Sequence, residues 1–386
     1  MQALTRIAAK NFLSLRDVTV PLGPLNVLVG PNGAGKTNLL RVINFLGELA
    51  RLDLGPAVAA FGGFERLFFR GVSDRRAISL TIEGRFTENS DLSVPDRYEV
   101  SFGDGQRSDV LTQYETFSFT KAREANQRID VKAGMVWLDG RKLDMSKNSS
   151  GLATLRKLGK PMVPEQVNDL AVLLETFRIF EVDVAKARMP SAVAVSGTLA
   201  ADAGNLASFL AYLKQSHEPI FDQIVDDMRY ILPGFASLHL TPIGGAAAGM
   251  VVELEERGLG GRTPLAAASF GTIRALALLA MLHDPDPPRL TCVEEVDHGL
   301  HPYALDRLVE RLREASQRTQ MLVATHSPAL VNRLRSDELI VCERDPATGA
   351  SIIPAIDAAT VRAMASESEL LLGELWFSGC LGGVPS

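Results

Sequence analysis

The sequence predicts an α/β protein: a mixed sheet around a P-loop, an antiparallel β-subdomain and a helical insert. Three observations carry that expectation. Residues Gly30-Pro31-Asn32-Gly33-Ala34-Gly35-Lys36-Thr37 read G-x-x-x-x-G-K-T. They lie between an apolar run, Leu25–Val29, and the helically spaced Leu39, Val42, Ile43, Leu46 and Leu49. Residues 73–145 alternate as half-buried strands do, and residues 241–386 alternate helical patterns with short apolar runs, as parallel sheets require.

Taken in order, residues 1–72 hold strand-like runs around Leu4–Ala8 and Val18–Leu22, then the P-loop unit. Its expected nucleotide contacts are Asn32, Gly33, Ala34, Gly35, Lys36, Thr37 and Asn38. A helix N-terminus offers unpaired N–H groups and a positive dipole end to a polyphosphate. Gly33 and Gly35 admit close backbone approach, Lys36 neutralises phosphate charge, and the Thr37 hydroxyl suits Mg²⁺. In 73–145, Ile78, Leu80 and Ile82 alternate with polar residues, as do Tyr98, Val100 and Phe102, with Gly103-Asp104-Gly105 and Asp139-Gly140 as turns.

Residues 146–240 change to a period near 3.6. Val167, Leu170, Ala171 and Leu174 share a helical face, as do Leu206, Phe209, Leu210 and Leu213, and Phe221, Ile224, Val225 and Met228. Ser146–Gly151 reads as a polar linker. In 241–386, Thr272–His283 is apolar apart from Arg274 and predicts a buried helix; Leu290–Val293, Met321–Ala324 and Leu339–Cys342 predict buried strands. The four zones are expected to form one composite unit.

With 46% apolar and 22% charged residues the composition is globular, and no apolar run approaches a membrane span. Three scattered cysteines, Cys292, Cys342 and Cys380, make neither a disulfide framework nor a metal-ligand spacing, and Met1–Phe12 lacks a signal-peptide core, so a cytoplasmic chain is expected. A net charge of −6 does not advertise nucleic-acid binding. The exception is Arg141–Lys160, with Arg141, Lys142, Lys147, Arg156, Lys157 and Lys160 against Asp144 alone, where contact with nucleic acid is possible.

The last zone supplies partners for the P-loop. Leu290-Thr291-Cys292-Val293 runs into Glu294-Glu295, a strand ending in two carboxylates. Glu294 is expected to hold the metal with Thr37, and Glu295 to activate water. Met321–Ala324 runs into Thr325-His326-Ser327-Pro328, which places His326 to contact a γ-phosphate. Ser269-Phe270-Gly271-Thr272 opens the buried helix, another turn at a helix N-terminus.

This constellation resembles the ABC-type ATPase heads of the RecF, SMC and OLD-like branch, and within it the compact family called AAA-type family 21. The likeness begins at Lys10-Asn11-Phe12-Leu13-Ser14-Leu15 and runs through Gly30–Asn38, Gly204-Asn205-Leu206, Ser269–Arg274, Glu294–Pro302 and Thr325–Pro328. It ends at Gly373–Gly379. It implies ATP and Mg²⁺ as ligands and catalytic roles for Glu295, His326 and Lys36. It also implies a homodimer in which Ser269, Gly271 and Thr272 of one subunit close over ATP on the other. Glu294 stands where the family usually has aspartate, Val296-Asp297 where it commonly has Pro-Glu, and no glutamine marks a Q-loop. Slow turnover is therefore expected.

The expected function is an ATP-hydrolysing dimeric switch controlling a separate effector protein, as in bacterial defence systems. A RecF-like DNA-maintenance ATPase and a nucleotide-dependent scaffold with negligible hydrolysis remain alternatives. Transporter signatures carry a Gly-Gly-Gln that Ser269–Arg274 lacks, and no heptad run builds an SMC arm. The residues after His326 are too few for a TOPRIM nuclease domain, so no effector chemistry is expected in the chain.

Overall fold

A computed structural model of the chain describes residues 4–71, 76–88, 90, 94–104, 110–120, 127–132, 134–138, 141–158, 163–192, 196–244 and 249–382. The first strands are β1 (Leu4–Phe12), β2 (Leu15–Pro21) and β3 (Leu25–Val29). After the P-loop helix, Lys36–Leu52, come β4 (Ala77–Gly84), β5 (Asp96–Asp104), β6 (Val110–Phe119), β7 (Gln127–Lys132), β8 (Met135–Leu138) and β9 (Arg141–Asp144). Then follow β10 (Arg178–Phe180), β11 (Ser191–Ala192), β12 (Phe235–Ile243), β13 (Gly249–Glu256), β14 (Arg262–Pro264), β15 (Leu290–Glu294) and β16 (Gln320–Thr325). The last are β17 (Leu339–Val341), β18 (Glu343–Arg344) and β19 (Ser351–Ile352).

Two large sheets organise the molecule. One is antiparallel throughout, in the order β2-β1-β4-β5-β6-β7-β8-β9. Its alternation buries Ile78, Leu80 and Ile82, then Tyr98, Val100 and Phe102, against the P-loop helix, where Phe45 stacks on Phe102 at 5.2 Å. The other sheet is parallel, in the order β10-β15-β16-β3-β17. Side chains of its strands point alternately to two cores. Leu28, Leu322 and Cys292 join the core under the antiparallel sheet, while Val27, Val323 and Val293 join a second core with the helices Leu206–Ser216, Glu218–Ile231, Phe270–Leu282 and Pro302–Ala315. The helix expected over Thr272–His283 is that third helix, buried from Ile273 to Leu282 because its apolar residues face all round.

Two expectations are corrected. Residues 146–240, read as helical, also supply β10 and β11 and the start of β12. β12 and β13 form a hairpin whose inward residues Leu238, Val252 and Leu254 alternate across the border between two compositional zones, and β11 and β14 both pair with β13, at its start and its end. The stretch Ser146–Gly151 is no free linker. Asp53 accepts from Ser150 N at 2.7 Å, and the buried Glu115 carboxylate accepts from Gly151 N and, at 2.8 Å, from Leu152 N. These acceptors take the orphan donors at the start of the helix Gly151–Leu158. Gly105, Asp139-Gly140 and Lys160 lie outside the described residues, as does the side chain of Arg141. Among the described residues no helix is long and apolar enough to cross a membrane.

Candidate nucleotide site

The site forms where β3, β15 and β16 end side by side, at the carboxyl edge of the parallel sheet. β3 delivers the P-loop, whose Gly33 and Gly35 take φ of +84° and +101°. Position 35 tolerates nothing larger: a Cβ there would lie 2.1 Å from Ser351 Oγ. Gly30 is equally confined, since a Cβ would meet the Cys342 carbonyl oxygen at 2.2 Å. The loop is thus clamped by the turn of β17 and by the hairpin of β18 and β19. Gly35 also caps the helix without a side chain, which leaves the first N–H groups to face the cavity.

A cavity of about 250 Å³ opens over this loop, lined by Asn32, Gly33, Gly35, Lys36, Thr37 and Asn38, by Glu294 and Glu295, and by His326. Ala34 is buried in the loop's support. Lys36 curls back, donating to the carbonyls of Gly30 at 2.6 Å and Pro31 at 3.0 Å. Burial lowers its pKa, opposed in part by Glu295 and Glu294. The Thr37 hydroxyl donates to Glu294 at 3.1 Å. That hydroxyl and carboxylate are the hard oxygen donors Mg²⁺ prefers, and two such groups with nucleotide oxygens and water suit it. Burial raises the Glu294 pKa against the Thr37 bond, and the charge of Glu181 adds to the rise.

The carboxylate turn is held from two directions. Glu295 has φ +48°, a left-handed conformation that is costly for a non-glycine residue and persists only when its surroundings fix it. The buried Arg274 donates to the carbonyls of Glu294 at 3.1 Å, Glu295 at 2.7 Å and Val182 at 3.4 Å. Burial depresses its pKa, with Glu295 and Asp297 opposing. Asp297 accepts from the Thr325 hydroxyl at 2.5 Å, and that hydroxyl accepts from Ser327 N at 3.0 Å. The carboxylate turn and the histidine turn are therefore one hydrogen-bonded unit.

None of Ser269, Gly271 and Thr272 lines the cavity. Ser269 caps its own helix, accepting from Thr272 N at 3.2 Å and pairing with the Thr272 hydroxyl at 2.8 Å. The structure brings the P-loop, Glu294, Glu295 and His326 together and leaves the Ser269–Thr272 turn, the expected signature turn, outside.

Four residues near the site were given no role in the sequence analysis. Ser14 bonds Asn38 Nδ2 at 2.7 Å and Ser351 at 2.6 Å, beneath the P-loop. Arg344 lines the cavity, 3.5 Å from the Gly33 carbonyl oxygen. Glu181 follows β10, whose Phe180 pairs with Val293, and so stands beside Glu294. Only Ser14 had a sequence signal, the Asn-Phe-x-Ser run at the start of the chain.

The family described as "AAA domain, putative AbiEii toxin, Type IV TA system" matches residues 25–151 and 152–332. The chain belongs to this family. An OLD nuclease of Thermus scotoductus is 48% identical over 58 residues, 15% of this chain and 10% of that protein. The RecF DNA replication and repair protein of Beutenbergia cavernae is 37% identical over 79 residues, 20% of each chain. The chain thus spans a tenth to a fifth of the length of these curated relatives. An Smc head bound to the C-winged helix domain of ScpA superimposes with a TM-score of 0.56 at 15% identity, over 91% of this chain and 96% of that one. An Smc head with extended coiled coil, bound to the C-terminal domain of ScpA derived from Pyrococcus furiosus, gives 0.54 at 14% identity, over 95% and 99%. The fold is that of SMC-type heads, and the chain belongs with the RecF, SMC and OLD branch of the ABC-type ATPase class.

Proposed function

We propose that this family-21 protein is an ATP-hydrolysing dimeric switch whose closed and open states control a separate effector protein. The carrying observation is the division of the site. One cavity gathers Lys36, Thr37, Glu294, Glu295 and His326, while the signature turn of the same chain faces elsewhere. A phosphate on the P-loop keeps free oxygens for another helix N-terminus, and Ser269–Thr272 of a second copy offers one.

Thr37 and Glu294 would hold Mg²⁺, which when bound would supply positive charge beside the γ-phosphoryl group of the substrate ATP. Lys36 would exchange the Gly30 and Pro31 carbonyls for phosphate oxygens. Glu295 accepts the proton of the attacking water, oriented by His326. Closure over ATP and opening after hydrolysis are the two states an effector reads. The family's description as a toxin of a toxin–antitoxin system favours a bacterial defence role.

The likeness to a RecF protein favours a second reading, DNA maintenance. Lys142, Lys147 and Lys157 are exposed as that reading needs, but Arg156 is committed to Glu175.

Glu295→Gln is expected to bind ATP, lose at least 99% of hydrolysis, on the order of the hundredfold that a general base contributes, and accumulate as a dimer on gel filtration. Lys36→Ala is expected to lose ATP binding. Wild-type hydrolysis by Glu295→Gln would overturn the base assignment, and a wild-type chain that dimerises with ATP but releases no phosphate would make it a scaffold.

A further inference from the structure

The catalytic carboxylate and the signature turn of one chain are joined by an aromatic contact and a hydrogen bond. Oε2 of Glu295 lies 2.9 Å from Nδ1 of His298. A carboxylate only accepts, so the ring nitrogen facing it carries the proton. The same turn is closed by the His298 main-chain N–H donating to the Glu295 carbonyl at 3.0 Å. On its other side the His298 ring lies 5.3 Å from the ring of Phe270, tilted by 41°. Phe270 is the first residue of the helix capped by Ser269. Beneath the rings the two backbones touch: a Cβ on Gly271 would lie 2.3 Å from the Gly299 carbonyl oxygen, and one on Gly299 would lie 2.5 Å from the Phe270 ring.

These side chains are poor candidates for a packing role. Phe270 is 44% exposed and the His298 side chain 55% exposed. Glu295 needs help, because a long exposed carboxylate loses rotamer freedom when fixed. His298 supplies a donor held by its turn on one side and by an aromatic ring on the other.

We infer that His298 is a positioning residue for Glu295, and that Phe270 sets its ring. The turn that completes the partner subunit's ATP site thereby also aims the carboxylate of its own. The inference rests on the proposed roles of Glu295 as base and of Ser269–Gly271 as the element acting in trans. It gives the two sites of a dimer a means to sense each other: a signature turn seated on nucleotide shifts Phe270, hence His298, hence the base.

The test uses the full chain and two readouts. In nitrogen spectra of histidine-labelled, nucleotide-free protein, His298 is expected as the Nδ1–H tautomer, assigned by its loss in His298→Asn, and Glu295→Ala should shift it. In steady-state assays His298→Ala should lower kcat about tenfold, the worth of one ordinary hydrogen bond, with KM for ATP within about twofold because the residue does not line the cavity. His298→Asn, which keeps a donor at similar reach, should recover most of the loss. Phe270→Ala should cost about as much as His298→Ala, and the double variant no more than either, since both act through one carboxylate. Wild-type kcat in His298→Ala, additive losses in the double variant, or an unprotonated Nδ1 would each overturn the inference. Retained hydrolysis in Glu295→Gln instead removes the reading of the base. A dead Glu295→Gln beside a fully active His298→Ala removes only the role of His298.

Discussion

At the scale of single residues, Glu294, the carboxylate proposed to hold the metal, has an uncomfortable environment. Burial raises its pKa, and Glu181, at the end of the neighbouring parallel strand, raises it further. Against this, Thr37 gives one hydrogen bond and Arg41 an opposing charge. A metal ligand must be ionised, so activity is lost as pH falls through this raised value. Glu181→Gln removes a like charge and lowers the Glu294 pKa. The acid limb of kcat/KM, which reports groups of the free enzyme, is expected to move to lower pH in that variant. An unmoved limb would show that Glu181 does not act on Glu294. Glu181 was invisible in the sequence because its relation to Glu294 is a register between strands more than 100 positions apart. Lys36, Glu294, Glu295 and His326 were legible for the opposite reason. Each ends an apolar strand or opens a helix, so local pattern fixed its place. The residues around them, Ser351 and Arg344 in two-residue strands and Asp297 in a turn, sit in segments too short to show a periodicity.

At the scale of elements, the sheet and helix over residues 77–158 carry a buried ionisable group that function does not explain. Glu115 on β6 is fully buried and accepts from the Tyr98 hydroxyl, Gly151 N and Leu152 N. Burial outweighs these donors and lifts its pKa from 4.5 to about 7. The folded value lies above the unfolded one, so the folded chain keeps a proton over that window which the unfolded chain has released. The stabilisation is fully present below about pH 4.5 and is lost as pH rises to about 7, an effect on the order of 3 kcal/mol. Urea unfolding of Glu115→Gln should lack this decline between about pH 4.5 and 7. An equal decline in wild type and variant would place the titration elsewhere. The alternation of β4 and β5 and the 3.6 period of the helices were readable because one face of each meets a core. The β11–β14 sheet was not, since its hairpin strands cross a border between helical and mixed composition, and β11 has only two residues.

At the scale of the whole molecule, the parallel sheet separates two cores and carries the site along one edge. The core beneath the antiparallel sheet holds the P-loop helix, and the opposite core holds the signature helix. The two helices therefore start from different faces of one sheet. Arg274 still ties the signature helix to the carboxylate turn of its own chain, and Phe270 and His298 do so at its outer end. The P-loop cavity and the Ser269–Thr272 turn of one chain stay apart, and in the proposed dimer two copies related by a two-fold axis would pair each with its complement. Ser269→Arg spoils the signature half and Lys36→Ala the P-loop half, so each homodimer has two broken sites. In a mixed dimer one site joins the intact Lys36 of the first variant to the intact Ser269 of the second, and the other site has neither. Equal mixing with free exchange makes about half the dimers mixed, with one working site in each, so about a quarter of wild-type hydrolysis is expected if sites act independently. Coupling through His298 would lower that fraction, because a mixed dimer closes on only one nucleotide. Phosphate release at the level of the separate variants, in a sample where mass photometry counts mixed dimers, would exclude sites completed in trans.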